Sequence, residues 1–198
     1  MPCAALSVAD AAVAIVVRPA EARDAEQIAR VRVDSWRTTY RGIVPEAYLA
    51  GMDVERSTQL WQRVLTAGQN TASVFVAERD GEIVAFAAGN MLTEPRHDLN
   101  AELTAIYVQR EFQRVGIGGR LVGQVARAQR SLGAHGMIVW VIAANKPARA
   151  FYESLGGTLL VEQPFEWDGI PLVEVGYGFA DLDALIAACE RPPEGLLH

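Results

Sequence analysis

The sequence predicts a single α/β (α+β) domain with a mixed, mostly antiparallel seven-stranded sheet flanked by helices. Seven short apolar segments, bounded by Gly, Pro, Asn or Asp, are typical of strands. Longer segments between some of them repeat apolar residues at helical spacing. Asp80 and Gly81, between two of the strands, indicate a tight turn that joins antiparallel neighbours.

The first half of the chain predicts one strand, two helices and then two further strands. Pro19 ends the first strand, and Gly42 with Pro45 breaks the first helix. The second helix carries regularly spaced Leu, Trp and Val residues. The segments are a strand at 15–18, a helix from residue 24, a helix at about 53–66, and strands at 73–79 and 82–90.

The second half predicts strand, helix, strand, helix, two strands and a short final helix. Residues 101–108 carry a single charge, at Glu102, and are expected to form a central strand buried on both faces. Asn145 is a good helix N-cap, and Gly156 ends the helix that it begins. The other segments are a helix from 116 to 133, a strand at 137–142, strands at 158–165 and 172–179, and a helix after residue 180.

A glycine-rich turn follows the central strand and precedes a helix. Its sequence, QRVGIG at 113–118, places backbone N–H groups at a helix N-terminus beside arginines at 110, 114 and 120. Such a site suits a phosphorylated ligand. A Walker A loop would need Lys and then Ser or Thr after the last Gly, where this chain has Arg120 and Leu121. A dinucleotide fingerprint would need its glycines directly after the strand, and here they come several residues later.

Three motifs in this chain resemble those of the GCN5-related N-acetyltransferases (GNAT family). The glycine turn matches Q/R-x-x-G-x-G/A, and residues 145–156 match N-x-x-A-x-x-x-Y-x-x-x-G. Residues 36–45 match W-x-x-x-Y-R-G-I-x-P, a string found in a bacterial branch of the family. The motifs occur in the order that the family has, and the resemblance spans about residues 14–185.

The resemblance implies a fold in which the fourth and fifth strands splay apart and hold the pantetheine arm of acetyl-CoA. Tyr152 would donate a proton to the departing sulfur, and Glu102 would accept one from the amine. Trp36 and Tyr40 would lie on the acceptor side. The residues implied to bind the cofactor are Ile106, Tyr107, Val108, Gln113, Arg114, Val115, Gly116, Ile117, Gly118, Gly119, Arg120 and Asn145.

Each of these residues also has a purely structural interpretation. Tyr152, Trp36 and Tyr40 could be core aromatics, and Asn145 could be only a helix cap. Glu102 could be a solvated strand end, and the arginines could be exposed surface. His97 is a weaker candidate for the base, in a loop between two strands.

The function that the resemblance implies is acetyl-CoA-dependent acetylation of a primary amine, small molecule or peptide, by direct nucleophilic attack. Cys3 and Cys189 lie near the termini, away from every motif, which agrees with transfer that uses no acyl-enzyme. One alternative is a catalytically silent acyl-CoA-binding or regulatory module with the same fold. A weaker one is a nucleotide-phosphate binder that uses the same glycines. The identity of the acceptor is not encoded in these motifs.

Composition limits the kinds of binding partner and the cellular compartment that we expect. The chain has 198 residues, 51% hydrophobic and 21% charged, which is typical of one folded domain. A net charge of −6 argues against general nucleic-acid binding. We expect no metal and no membrane segment, a cytoplasmic location, and a homodimer as one option that the family offers. We also expect a disordered extension at 1–13, the domain at 14–190 and a flexible tail at 191–198.

Overall fold

The computed structural model describes residues 14–67 and 72–191. The predicted extension at 1–13 and residues 192–198 of the predicted tail therefore lie outside the described residues. The strands are β1 (Val16–Pro19), β2 (Ala72–Arg79), β3 (Glu82–Arg96), β4 (Leu99–Val108), β5 (Met137–Ile142), β6 (Thr158–Trp167) and β7 (Ile170–Phe179). The helices are α1 (Ala25–Thr39), α2 (Glu46–Gly51), α3 (Val54–Thr66), α4 (Ile117–Ser131), α5 (Lys146–Ser154) and α6 (Leu182–Glu190).

The seven strands form one sheet in the order β1-β2-β3-β4-β5-β7-β6. Every neighbouring pair is antiparallel except β4 and β5, which are parallel. The predicted fold class is therefore confirmed. None of the helices in the described ranges is long and apolar enough to cross a lipid bilayer.

The two parallel strands β4 and β5 separate halfway along their length. Their pairing ends at Leu103↔Val139, although β4 continues to Val108 and β5 to Ile142. The opening between residues 104–108 and 140–142 is called the splay below. Backbone groups that face it have lost their strand neighbour, as at the edge of a sheet, and can bind an extended ligand.

A β-bulge at Thr104 lies where the splay begins. Leu103 pairs with Gly89 and Ala105 with Ala88, so Thr104 is the extra residue, and its hydroxyl donates to the Ala88 carbonyl at 3.1 Å. Because a bulge bends a strand and increases its twist, it helps to turn β4 away from β5.

Helices cover the sheet on two faces, named here by the helix that packs on each. On the α4 face, α4, α5 and α6 bury a cluster that includes Leu103, Val139 and Tyr177. On the α1 face, α1 and α3 bury a second cluster around Phe86. The bulge shifts the alternation of side chains along β4 by one residue. Leu103 and Ile106 therefore both lie on the α4 face, while Glu102 and Tyr107 both lie on the α1 face.

The structure departs from the sequence predictions in three local details. The central strand is not buried on both faces, because the splay removes its neighbour and leaves residues 105–108 only half-buried. His97 does lie between two strands, but the connection is a tight hairpin turn, since β3 continues to Arg96 and β4 begins at Leu99. The short helix α2 was not predicted, and it begins directly after Pro45, a residue that favours the start of a helix.

Candidate active site

The N-terminus of α4 is open toward solvent and lacks a capping side chain. Its N-cap is Gly116 at φ 85°, and the first turn contains no acidic residue. The N–H of Arg120 is the one that bonds back to the Gly116 carbonyl, at 3.2 Å, so the N–H groups before it lie at the helix end without an intrahelical partner. Side-chain oxygens of Asn145 and Asp181 cap α5 and α6 in contrast. This end of α4 is therefore suited to an anionic ligand.

The side chains of the glycine turn connect it to the neighbouring strands. Gln113 Nε2 donates to the Val108 carbonyl at 3.0 Å, which joins the turn to the open end of β4. Arg120 donates from both Nη atoms to the Ile15 carbonyl, each at 3.2 Å, and retains further N–H donors. Arg114 is exposed and adopts φ 65°. Both arginines thus lie beside the helix end, as predicted from the sequence.

The first turn of α4 also packs closely against α5 and β4. A Cβ added at Gly118 would lie 3.2 Å from Cζ of Phe151 and 3.8 Å from Cδ1 of Ile106. Glycine at this position thus allows α4, α5 and β4 to pack closely together next to the splay. The implied pyrophosphate and pantetheine residues are adjacent in space.

Tyr152 is a buried tyrosine whose hydroxyl has no protein partner among the described residues. It is 4% exposed, and burial, reinforced by Tyr40 and Tyr107, raises its pKa above the ordinary value. The phenol therefore stays protonated at neutral pH and can act as a proton donor. Tyr177 behaves differently, since its hydroxyl donates to Glu153 at 2.5 Å and accepts from Arg149 Nε at 3.1 Å.

Asn145 is the N-cap of α5, as its structural interpretation predicted. Its side-chain oxygen accepts from the Ala148 N–H at 3.2 Å, and the residue is 7% exposed. Its amide group also lies close enough to Tyr40 to lower the pKa of that phenol, against the larger opposite effect of burial. The cap thus leaves the amide group close to the Tyr40 hydroxyl.

Aromatic side chains of α1 meet Tyr107 on the α1 face of the splay. Trp36 is 4% exposed, and its Nε1 donates to the Tyr107 hydroxyl at 2.7 Å. Its ring centroid lies 4.6 Å from that of Tyr40 and 5.3 Å from that of Trp167. Trp36 therefore packs against Tyr40 and hydrogen-bonds to Tyr107, and both of these tyrosines are close enough to Tyr152 to raise its pKa.

Glu102 lies on the α1 face, one residue before the pairing of β4 with β5 ends. Its side chain is 20% exposed, and Arg96 Nη1 lies 3.5 Å from its Oε2. Burial raises the pKa of Glu102, with Arg96 lowering it and Glu174 raising it further. A carboxyl with a raised pKa is a stronger base, which suits proton transfer from an amine.

Sequence reasoning did not identify Arg96 and Glu174, which act on Glu102, or Trp140, which lies beside Arg96 and His97. Two signals were available in β7. Glu174 is a lone acid in an apolar run, and the glycines at 176 and 178 alternate with large residues, which is typical of a close approach by other side chains.

One further potentially reactive group in the described residues is the Cys189 thiol, which is buried. Burial raises the pKa of the Cys189 thiol to about 11, which makes it a poor nucleophile. Within residues 14–67 and 72–191, no group of three or more His, Cys, Asp or Glu side chains could hold a metal ion.

Comparison with known families and sequences gives consistent matches. Residues 32–157 match the model described as "Acetyltransferase (GNAT) family". The uncharacterized N-acetyltransferase YuaI of Bacillus subtilis is 36% identical over 178 residues, covering 89% of this chain and 99% of its own length. A probable N-acetyltransferase of Mycobacterium tuberculosis is 30% identical over 173 residues, covering 82% and 92%.

Solved structures share the fold at lower identity. The PaiA N-acetyltransferase of Thermoplasma acidophilum, in complex with coenzyme A, has a TM-score of 0.63 at 20% identity and covers 82% of this chain and 98% of its own. YncA of Salmonella typhimurium, a putative acetyltransferase solved with acetyl-CoA, has a TM-score of 0.64 at 19% identity and covers 85% and 95%.

Proposed function

The chain belongs to the acetyltransferase (GNAT) family, and on this premise we propose that it transfers the acetyl group of acetyl-CoA to a primary amine by direct nucleophilic attack. One observation carries most of the proposal. The uncapped N-terminus of α4 lies beside a splayed parallel strand pair, and the helix that follows β5 carries the buried residue Tyr152, whose hydroxyl makes no hydrogen bond to the described residues.

Acetyl-CoA would bind across the α4 end and into the splay. The N–H groups at the start of α4, with Arg114 and Arg120, would hold the pyrophosphate. Backbone groups of Ile106 and Val108 would bond to the pantetheine amides in the manner of an added strand. Related structures solved with coenzyme A and with acetyl-CoA support this donor.

The transfer exchanges one bond and moves three protons. Glu102, directly or through water, would take a proton from the ammonium, so that the amine nitrogen can attack the thioester carbon. As the C–S bond breaks, Tyr152 would give its proton to the sulfur, and the tyrosinate would take the second proton from the newly bonded nitrogen, which leaves a neutral amide. Glu102 would return its proton to solvent. A backbone N–H of β4 would face the oxyanion. Tyr40 would line the acceptor side, held in place by Trp36.

The buried cysteine supports direct transfer. Cys189 packs on α4, where a Cβ added at Gly123 would lie 3.0 Å from its Cβ, and burial raises its thiol pKa to about 11. An acyl-cysteine intermediate would need a thiolate. Intact-mass analysis of the protein after incubation with acetyl-CoA alone should reveal no stable acetyl adduct.

Two measurements test the donor and the reaction separately. Saturating acetyl-CoA should raise Tm, with ATP and NAD as controls, because a ligand at a hundred times its Kd stabilises the native state by ~2.7 kcal/mol. Thiol release in the presence of a panel of amines then tests transfer. Binding without release for any amine would favour the catalytically silent module, and the absence of a Tm shift in folded protein would contradict the donor site.

A further inference from the structure

A groove on the α1 face beside Glu102 indicates the chemical class of the acceptor. The groove is shallow and open to solvent. Arg96, His97, Trp140 and Gln163 line it, and Glu102 reaches it through its 3.5 Å contact with Arg96. Building on the proposed function, we propose that the acceptor is a small zwitterion: a primary amine that also carries a carboxylate, joined by an apolar or aromatic body.

The floor of the groove is the indole of Trp140, which packs against Gly176 of β7. A Cβ added at Gly176 would lie 3.1 Å from Cζ3 of this ring and 3.0 Å from Cγ1 of Val161, so only glycine leaves room for it. Trp140 is half-buried, and its Nε1 has no hydrogen-bond partner among the described residues. The floor therefore offers an aromatic surface, while the indole N–H lies buried beneath it.

One end of the groove is cationic. Arg96 has a side chain that is 56% exposed, and its 3.5 Å contact with Glu102 is longer than a strong charge-assisted bond. His97 follows at φ 50° in the left-handed region, and its ring centroid lies 6.4 Å from that of Trp140. His135 holds this turn, with Nε2 2.8 Å from the Asp98 carbonyl oxygen. The guanidinium is thus available to an anionic group of a ligand.

Two carboxylates, those of Glu102 and Glu174, make the region next to the splay anionic. Glu102 lies beside the splay, and Glu174, across β5, is close enough to influence its ionisation. Glu174 Oε1 accepts from Gln163 Nε2 at 2.8 Å, which holds it at the groove wall. An ammonium that approaches the splay is therefore attracted by these two acids.

The arrangement favours one class of amine over the others. A zwitterion can replace the weak contact between Arg96 and Glu102 with two contacts, one from its carboxylate to the guanidinium and one from its ammonium to Glu102. A polyamine would place a second cation next to Arg96, and a simple amine would leave the guanidinium without a new partner. The apolar floor favours a hydrocarbon or aromatic body between the two charges.

Matched acceptors provide the test. We would measure kcat/KM by thiol release for phenylalanine, phenylalanine amide and phenethylamine, with spermidine as a cation without a carboxylate. Phenylalanine should exceed phenethylamine by about tenfold, and the amide should resemble phenethylamine, because a charge-assisted contact is lost in both. The Arg96→Gln variant should reduce the ratio of phenylalanine to phenethylamine by about threefold to tenfold.

Controls separate this inference from the proposed function. Arg56→Gln, an exposed arginine on α3, should leave the ratio unchanged. Because Arg96→Gln also alters the surroundings of Glu102, the ratio of two acceptors is used so that effects on the base cancel. Turnover of phenethylamine or spermidine that equals or exceeds that of phenylalanine would overturn the zwitterion and leave acetyl transfer intact. No Tm shift with acetyl-CoA and no turnover of any amine would overturn the proposed function itself.

Discussion

Two buried tyrosines with ring centroids 6.2 Å apart allow the general acid to be tested against an internal control. Tyr152 has a hydroxyl without a protein partner among the described residues, whereas the Tyr177 hydroxyl bonds to both Glu153 and Arg149. The perturbation is the same in each case, Tyr152→Phe and Tyr177→Phe, and removes one oxygen. The structure predicts opposite consequences for the two variants.

The expected changes in kcat and in stability follow from the hydrogen bonds that each hydroxyl makes. Loss of a positioned general acid costs about 10²- to 10⁴-fold in kcat, or ~2.7–5.4 kcal/mol of transition-state stabilisation. Tyr152→Phe breaks no hydrogen bond within the described protein, so the free energy of unfolding should change by less than about 1 kcal/mol. Tyr177→Phe leaves two charged groups without their partner, and because both can reach water the loss should be about 1–2 kcal/mol. For a domain of this size that lowers Tm by about 2–8 °C.

The assay measures kcat by thiol release and Tm by calorimetry for both variants. We expect Tyr152→Phe to be stable and nearly inactive, and Tyr177→Phe to be destabilised while it keeps most of its turnover. The pKa of Tyr152 is raised, so its ionisation should produce no loss of activity up to the ordinary tyrosine pKa. Nearly full turnover in Tyr152→Phe would remove the assigned acid, whatever its Tm.

The remaining predictions concern the base and the glycine turn. Burial raises the pKa of Glu102, Arg96 lowers it and Glu174 raises it, so the acidic limb of the kcat/KM profile should move to higher pH in Arg96→Gln and to lower pH in Glu174→Gln. A folded pKa above the unfolded value means that ionised Glu102 destabilises the fold, so Glu102→Gln should raise Tm at neutral pH, and this gain should vanish below the ordinary carboxyl pKa. If the acidic limb of the kcat/KM profile shifted equally in Arg96→Gln and Glu174→Gln, this account of the base would be refuted. Gly116→Ala should lower the free energy of unfolding by about 1 kcal/mol in urea titrations, because φ is 85°, whereas Gly119→Ala, whose nearest added contact is 3.6 Å, should not.

The fold was predictable because its local signals are strong and agree with one another. Asp80 and Gly81 occupy the turn between β2 and β3 with positive φ, as the hairpin signal requires. Asn145 caps α5, and Gly133 adopts φ 97° just after α4. Each of these residues acts on its own neighbours, so no long-range information is needed.

The splay was implied by resemblance and not by any local signal. It depends on a one-residue bulge at Thr104 and on the point where β4 and β5 stop pairing. Both are properties of register between strands that are distant in sequence, which single-sequence patterns do not reveal. The same limitation hid the hairpin that carries Arg96 and His97.

The acceptor side of the site is the part that the sequence predicted least. Glu102 was a candidate from its position, yet the other residues of this part of the site, Arg96, Trp140 and Glu174, come from three different strands. Their proximity results from sheet order, in which β5 lies between β4 and β7. The glycine at 176 could indicate that another side chain approaches β7 closely. The sequence could not indicate that this side chain is the indole of Trp140.

The central claim, that the open end of α4 binds the pyrophosphate of acetyl-CoA, can be tested directly by backbone amide NMR. We expect titration with coenzyme A to shift the amide resonances of Ile117, Gly118 and Gly119 more than those of α5 or α6, and ATP or NAD at the same concentration to shift them less. Unchanged α4 resonances under conditions where coenzyme A binds elsewhere, or equal shifts with ATP, would contradict the claim.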